Sequence, residues 1–463
     1  MPFCRVAVAA TSFLIGLTIL RPAAAGHREP ARGHPELATG PAKPMPITGH
    51  QEPSLKSFDD LMTSFMAEHK VPGAALAVTR GGRLVYARGF GYADVERNEP
   101  VQPASLFRIA SLTKPLTGVA ILQLVERGKL KLDDKVFEIL HFGGGPSLAR
   151  DETHAGHGGP AYNQAHLEPG AKPDPRLKQI TIRQLLHHTG GWDREKSFDP
   201  MFRSVDIAKA LGVPPPARQE HIIRYMMGQP LQFDPGERYA YSNFGYCLLG
   251  RAIEAITGQS YEAYVKASIL APLGITDMQI GHTLLSGRVP SEVAYYQPDG
   301  KTAPAVVGEK IGEPVPWPYG AWYLEGFDSH GGWIASAVDM VRFAAAFDDS
   351  SRCKLLKPES IQIMFARPGG LAGHNPDGSP KDAYYGCGWS VRPVGQKANH
   401  WHMGMINGTA TLLVRRHDGL CWAVMFNTHA GPDGKFLGAE IDPLVHRAAD
   451  AVREWPAIDL FAK

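Results

Sequence analysis

Cysteine is scarce, with five residues in 463, and no C-x-x-C occurs. That spacing is what cysteine-ligated zinc and dithiol redox centres require, so neither is expected. Histidine is plentiful at 19, yet there is no H-E-x-x-H. The histidine groups, His154, His157 and His166, His187 with His188, and His400 with His402, read as loop or helix-end residues, and no metal or other cofactor is implied. No G-x-S-x-G is present, which argues against the nucleophile elbow of an ordinary α/β-hydrolase. An excess of one charge is missing too. Formal net charge is +2 and the basic residues are scattered, so no basic stripe interleaved with aromatics marks a nucleic-acid surface. No internal repeat is present.

Long apolar runs are confined to the first residues. "MPFCRVAVAATSFLIGLTILRPAAAG" holds Arg5, an apolar run from Val6 to Leu20, and Ala23-Ala24-Ala25. A charge, an apolar run and small residues are the parts of a secretory signal peptide. The run is about 15 residues, short of the ~20 of a spanning helix. Cleavage after Ala25 and export to a periplasm or the exterior are expected, with no stable membrane span afterwards. Removal of Cys4 leaves Cys247 and Cys421 in apolar runs and Cys353 and Cys387 in looser sequence. The last two are available to pair in an oxidising compartment, although spacing alone does not decide it.

Residues 26–55 are rich in Pro, Gly and His and read as a flexible linker. Order is expected from about residue 56, where "FDDLMTSFMAEHKVPG" is an amphipathic helix. "GAALAVTR" and "RLVYARGFGYA" alternate around Gly81-Gly82 as a hairpin. Helical patterns then dominate, including "YSNFGYCLLGRAIEAITG" and "SAVDMVRFAAAF", the second with Ser336 and Asp339 at capping-box spacing. Two more strands follow around Asp418-Gly419, and "PLVHRAADAVREW" closes the chain. Strands at both ends and helices between them predict an α/β (α+β) chain with one sheet completed by both termini. The sheet lobe is expected over about 56–110 and 290–463 and an inserted all-helical lobe over about 111–289. A polar, loop-like insertion is expected near 143–175 and a second long insertion near 366–399.

"FRIASLTKPLTGVAILQLVERGKL" places Ser111 and Lys114 at the mouth of an apolar helix. A serine hydroxyl is a weak nucleophile until a neighbour takes its proton. Three positions along a helix bring two side chains to one face, and burial lowers an amine's pKa. The helix N-terminus adds N–H groups suited to a developing oxyanion. S-x-x-K alone arises about once per 300 residues. A second copy, Ser351 with Lys354, lies in a polar stretch with no apolar helix behind it.

Company distinguishes Ser111. Tyr241-Ser242-Asn243 precedes an apolar helix, and His402-Met403-Gly404 precedes the C-terminal strand. With "VPGAALAV", "LLHHTGG", "FDPGERYAYSN", "PLGITDM" and "HMGMING", in this order, the chain from about residue 56 resembles the serine β-lactamase and penicillin-binding-protein family. The branch it resembles is that of class C β-lactamases, DD-peptidases and family VIII esterases. The resemblance implies a β-lactamase/transpeptidase-like fold, with an antiparallel sheet flanked by helices. It implies Ser111 as the acylated nucleophile, Lys114 as the group sharing its proton and Tyr241 as a second proton carrier. Asn243 would hold the substrate amide or orient Lys114. His402 and Gly404 would line the substrate site, and the N–H groups of Ser111 and Met405 would form the oxyanion hole. The phenol of Tyr241, with an ordinary pKa near 10, would need Lys114 close by to act as phenolate.

The sequence departs from the Lys-Thr-Gly of many β-lactamases by carrying His402 there, and no E-x-x-L-N stretch is present. The expected function is an exported serine hydrolase that cleaves a small ester or a D-amino-acid peptide through an acyl-enzyme. The alternatives are a class C-like β-lactamase and a penicillin-recognising protein with little turnover. The expected partner is a small molecule or short peptide.

Overall fold

The structure is a computed structural model that describes residues 44–140 and 172–462. The leader, the linker up to residue 43, most of the 143–175 insertion and His154, His157 and His166 lie outside the described residues.

Eight strands form the path of the main sheet: β1 (Ile47–Gly49), β2 (Gly73–Arg80), β3 (Arg83–Asp94), β4 (Tyr384–Tyr385), β5 (Ser390–Val394), β6 (Lys397–Ile406), β7 (Thr409–Arg415) and β8 (Leu420–Phe426). A short ninth strand, Glu99–Pro100, pairs with β3 off that path. The order is β1-β3-β2-β8-β7-β6-β5-β4, and every pair along it is antiparallel. The two ends of the chain therefore meet at β2 and β8, where Ala77 lies opposite Ala423. Arg80 pairs with Arg83 across Gly81-Gly82, whose φ values are +56° and +78°. Positive φ at both central residues is what a tight hairpin turn demands, and glycine supplies it without steric cost.

Side-chain alternation divides the sheet between two cores. Ala74, Leu76 and Val78 of β2 face the same side as Leu412, Val424 and Phe426, against helices α1 (Lys56–His69) and α6 (Leu437–Asp450). Ala75, Ala77, Leu413, Ala423 and Met425 face the other side, against α2 (Thr113–Glu126) and α5 (Ala337–Ala345). Because both faces are covered, every residue of β7 and β8 is buried. Helix α2 is apolar all round, and Thr113 through Leu124 are buried. That pattern belongs to a helix at the centre of a fold. Helix α4 (Asn243–Thr257) packs beside it, and α3 (Ile182–Leu186) packs against α4. The Ser336–Asp339 capping box forms at the start of α5, with Asp339 N donating to Ser336 Oγ at 3.0 Å and Ser336 N to Asp339 Oδ2 at 3.1 Å.

Two sequence expectations differ from the structure. Ordered chain begins ahead of residue 56, since Ile47–Gly49 pairs with β3, covering an edge otherwise left with unpaired backbone groups. The 366–399 segment is more than a surface insertion. It contributes β4 and β5 to the sheet, and its Cys387 carbonyl approaches α2 so closely that a Cβ on Gly118 would fall 2.5 Å from it. β4 is a two-residue edge strand, and in β5 the exposed Arg392, Pro393 and Val394 carry little of the alternation that marks a half-buried strand. The pairing of Cys353 with Cys387, which spacing left open, is absent: Cys247, Cys353, Cys387 and Cys421 are all free thiols.

Candidate active site

The site is built on the last residues before α2. Two threonines on one face of β7 hold the incoming chain. Thr409 Oγ1 donates to the Arg108 carbonyl and Thr411 Oγ1 to the Ile109 carbonyl, each at 3.0 Å. On the neighbouring strand Gly404 lies opposite Thr411, and a Cβ there would stand 2.3 Å from both the Ile109 carbonyl and Thr411 Oγ1. Absence of a side chain at 404 thus lets β6 press against the turn. Ala110 takes φ +47°, an unfavourable value for a residue with a Cβ. Ser111 lies in the 3₁₀ turn Ala110–Leu112, not in the α-helix itself, and Lys114 follows in the first turn of α2. Residues three apart eclipse in a 3₁₀ turn, and the Lys114 Nζ to Ser111 Oγ distance is 3.0 Å.

Lys114 is fully buried. Its amine lies 2.8 Å from Asn243 Oδ1 and 2.8 Å from the His330 carbonyl. Burial pushes its pKa well below that of an ordinary ammonium; the charge of Arg194 pushes the same way and Asp199 opposes. A neutral amine has two N–H donors and one lone pair. The two carbonyl oxygens take the donors. In that neutral form the lone pair is left for the Ser111 hydroxyl, whereas the ammonium donates to Ser111 Oγ instead.

Tyr241 approaches from the other side and donates to Ser111 Oγ at 2.8 Å. Its ring centroid lies 4.8 Å from Lys114 Nζ and 4.9 Å from the Arg194 guanidinium carbon. Burial pushes its phenol up, only partly offset by the Ser111 hydrogen bond and by Arg194. The resting phenol is therefore protonated, a donor rather than a phenolate. The residue after it, Ser242, caps α4 by accepting from Gly245 N at 3.1 Å. Asn243 is thereby free of capping and turns its carbonyl to Lys114, while its Nδ2 donates to Asp199 Oδ2 at 2.7 Å. His188 sits where α3 ends, accepts from Ser242 N at 3.1 Å and packs on Tyr241 at a ring distance of 4.4 Å.

His402, Gly404 and Met405 lie on β6, pairing with Leu413, Thr411 and Ala410. His402 is buried and both its nitrogens are engaged inside the protein. Nδ1 is 2.7 Å from the Met403 carbonyl, which only accepts, so Nδ1 carries the proton; Nε2 accepts from Tyr385 OH at 2.9 Å. Burial, with the Lys114 charge as a second cause, lowers the imidazole to about 3. The ring is neutral at physiological pH. Met405 is partly exposed at 36 %. The second S-x-x-K copy is different in kind. Ser351 and Lys354 are exposed, and Ser351 Oγ donates to Asp349 instead. Among the described residues no group of three or more His, Cys, Asp or Glu is placed to hold a metal.

Sequence reasoning did not single out Asp199, Arg194, Tyr385 or the backbone carbonyl of His330. None lies at a motif spacing from Ser111. Arg194 and Asp199 come from "DREKSFDP", and Tyr385 from a segment expected to be an insertion.

A model of the beta-lactamase family matches residues 58–445. The chain belongs to the beta-lactamase family. The motif resemblance and the β-lactamase/transpeptidase-like fold are thereby borne out. Among relatives in the family's range, penicillin-binding protein 4* of Bacillus subtilis (strain 168) is 27% identical over 368 residues, 78% of this chain and 69% of that protein. Protein flp of Staphylococcus aureus (strain COL) is 30% identical over 230 residues, 50% of this chain. The match spans only 39% of the length of that relative. Of solved structures, the octameric penicillin-binding protein homologue from Pyrococcus abyssi superposes with a TM-score of 0.59 at 25% identity, covering 84% of this chain and 77% of that one. The D-amino acid amidase of Ochrobactrum anthropi SV3 gives 0.61 at 22% identity, covering 87% and 99%, a likeness of fold.

Proposed function

We propose that this chain is a serine hydrolase that forms an acyl-enzyme on Ser111 and cleaves small esters or amides, D-amino-acid peptides among them. The observation that carries the reading is the position of Ser111 Oγ between the fully buried Lys114 amine at 3.0 Å and the Tyr241 phenol at 2.8 Å.

In the first step Ser111 Oγ bonds to the substrate carbonyl carbon while its proton passes to Lys114 Nζ. The carbonyl oxygen becomes an oxyanion, with the N–H groups of Ser111 and Met405 as its expected donors; one such donor is typically worth about 3 kcal/mol of barrier. The bond to the leaving oxygen or nitrogen then breaks. Tyr241 gives its proton to the leaving group and is reprotonated from Lys114, which restores the starting charges. Water attacks the acyl-enzyme by the same route in reverse, releasing the acid and restoring Ser111.

Neutral His402 favours esters and uncharged amides over β-lactams. It offers no cation and no spare N–H to a substrate carboxylate, since Nδ1 and Nε2 are already committed. We also propose export through the leader, to be tested by finding Gly26 at the N-terminus of the mature protein outside the cytoplasm.

The deciding experiment follows intact mass after mixing with a short-chain p-nitrophenyl ester and, separately, a penicillin, on wild type and Ser111→Ala. Ester turnover by wild type alone, with a transient acyl adduct, supports the reading. Hydrolysed penicillin with no adduct moves the assignment to a β-lactamase. A persistent penicillin adduct without ester turnover moves it to a penicillin-recognising protein. Full turnover by Ser111→Ala overturns Ser111 as nucleophile.

A further inference from the structure

Asn243 can do its work in only one of its two amide orientations. With the carbonyl toward Lys114, the amine spends a donor on it and keeps its lone pair for Ser111. With the amide flipped, an N–H₂ group would face the amine and take that lone pair, leaving Ser111 no acceptor for its proton. Nothing in Asn243 itself selects between the two. The selecting contact is Asp199, whose Oδ2 accepts from Asn243 Nδ2 at 2.7 Å. Asp199 is itself held. Its Oδ1 accepts from Met201 N at 3.2 Å as the cap of the turn Pro200–Phe202, and Arg194 lies 3.6 Å from Oδ2. The same Arg194 guanidinium stacks over the Tyr241 ring.

We propose that the Arg194–Asp199 pair is a positioning device for the proton relay: Asp199 locks the amide of Asn243 in the orientation that leaves the Lys114 lone pair to Ser111, and Arg194 anchors Asp199 against Tyr241. The proposal rests on the serine hydrolase reading of the site. Neither residue touches Ser111, so both act through others.

The two charges also act on Lys114 in opposite senses. Around the amine stand His188 after α3, Tyr241 and Tyr246 at the start of α4, His330, and His402 on β6. Burial, with the Lys114 charge second, keeps all three histidines neutral, and burial keeps both phenols protonated. Glu195 is exposed and paired to Arg194 at 3.4 Å. Arg194 and Asp199 are therefore the charges that set the amine's titration, the first lowering it and the second raising it.

The test is the pH profile of kcat/KM for p-nitrophenyl butyrate with wild type, Asp199→Ala, Asp199→Asn and Arg194→Gln, and with Ser111→Ala in the same assay. Asp199→Ala is expected to lose about 10²-fold, the scale of a misplaced general base. Asp199→Asn has one carbonyl oxygen where the carboxylate has two, so it can still accept from Asn243 only by giving up the cap on Met201, and its rate should lie between those of Asp199→Ala and wild type. Its acidic limb should move to lower pH, because loss of the negative charge makes Lys114 easier to deprotonate. The acidic limb of Arg194→Gln should move to higher pH, each shift being at least about half a unit. A merely structural role does not move the two limbs in opposite directions. An Asp199→Ala rate equal to wild type, in an assay that Ser111→Ala abolishes, overturns the positioning role and leaves the hydrolase reading standing. So do limbs that stay put or move together. Undiminished turnover by Ser111→Ala overturns both.

Discussion

Thr411 Oγ1 donates to the carbonyl of Ile109 at 3.0 Å, across 302 positions of sequence. Thr409 does the same for Arg108 two residues along the strand. The carbonyls of the two residues before the Ser111 turn are thus tied to a strand laid down near the C-terminal end, so the geometry around Ser111 is complete only when the sheet has closed.

Thr411→Val keeps the shape and removes the hydroxyl. The Ile109 carbonyl still accepts from Leu112 N at 3.1 Å, so stability should fall by only about 1 kcal/mol. Turnover should fall further, by roughly tenfold or more, because small displacements of a reacting atom are costly. Thermal denaturation beside ester kinetics checks this; equal, small losses in both would show that the tether does not matter to the nucleophile.

Gly404→Ala should be worse in both respects. The new Cβ meets backbone and the Thr411 hydroxyl at 2.3 Å, neither of which can give way without moving the turn. A destabilisation of about 1–3 kcal/mol is expected, with most activity lost. A variant as stable and active as wild type would mean that β6 and the turn are not so close.

Lys114→Arg preserves a cation but not a base, since guanidinium does not give up its proton in proteins. Lys114→Arg and Lys114→Ala should both lose about 10³-fold in kcat. If the arginine variant retained near wild-type turnover, Lys114 would be acting as a fixed charge instead, contrary to its burial and lowered pKa.

Acid should destabilise the fold before it reaches the carboxylates. Burial lowers His402 and His400 to about 3 and His187 to about 4. In the unfolded chain each takes up a proton near pH 6.5, so below that value the unfolded state binds more protons than the folded one. Stability is therefore full above about pH 6.5 and falls as pH drops toward 4, by at most ~1.4 kcal/mol per unit for each such histidine. Melting temperature measured from pH 7 to 4 should decline, and His402→Gln should decline less steeply. An identical slope in that variant would remove His402 from the account.

Much was legible in the sequence because it is local. The Ser111–Lys114 spacing follows from a turn running into α2, the Gly81-Gly82 hairpin from turn chemistry, and the Ser336–Asp339 box from helix capping. The order of Ser111, Tyr241 and His402 carried the family. Asn243 was legible as a site residue but not its task, because the choice between substrate amide and Lys114 turns on which way its amide faces, and that is set by Asp199.

Physical reach divides the two kinds of information. Residues within a turn or two of each other obey backbone geometry, so the sequence by itself determined the Ser111–Lys114 pair and the helix that follows it. Contacts between distant segments depend on how strands stack and on which side chains burial brings together. Only the tertiary structure decided that burial lowers the Lys114 pKa, that Tyr241 is a protonated donor, that Tyr385 and Met403 occupy His402, and that Arg194 and Asp199 stand behind Asn243. Those are consequences of desolvation and three-dimensional packing, which no spacing encodes.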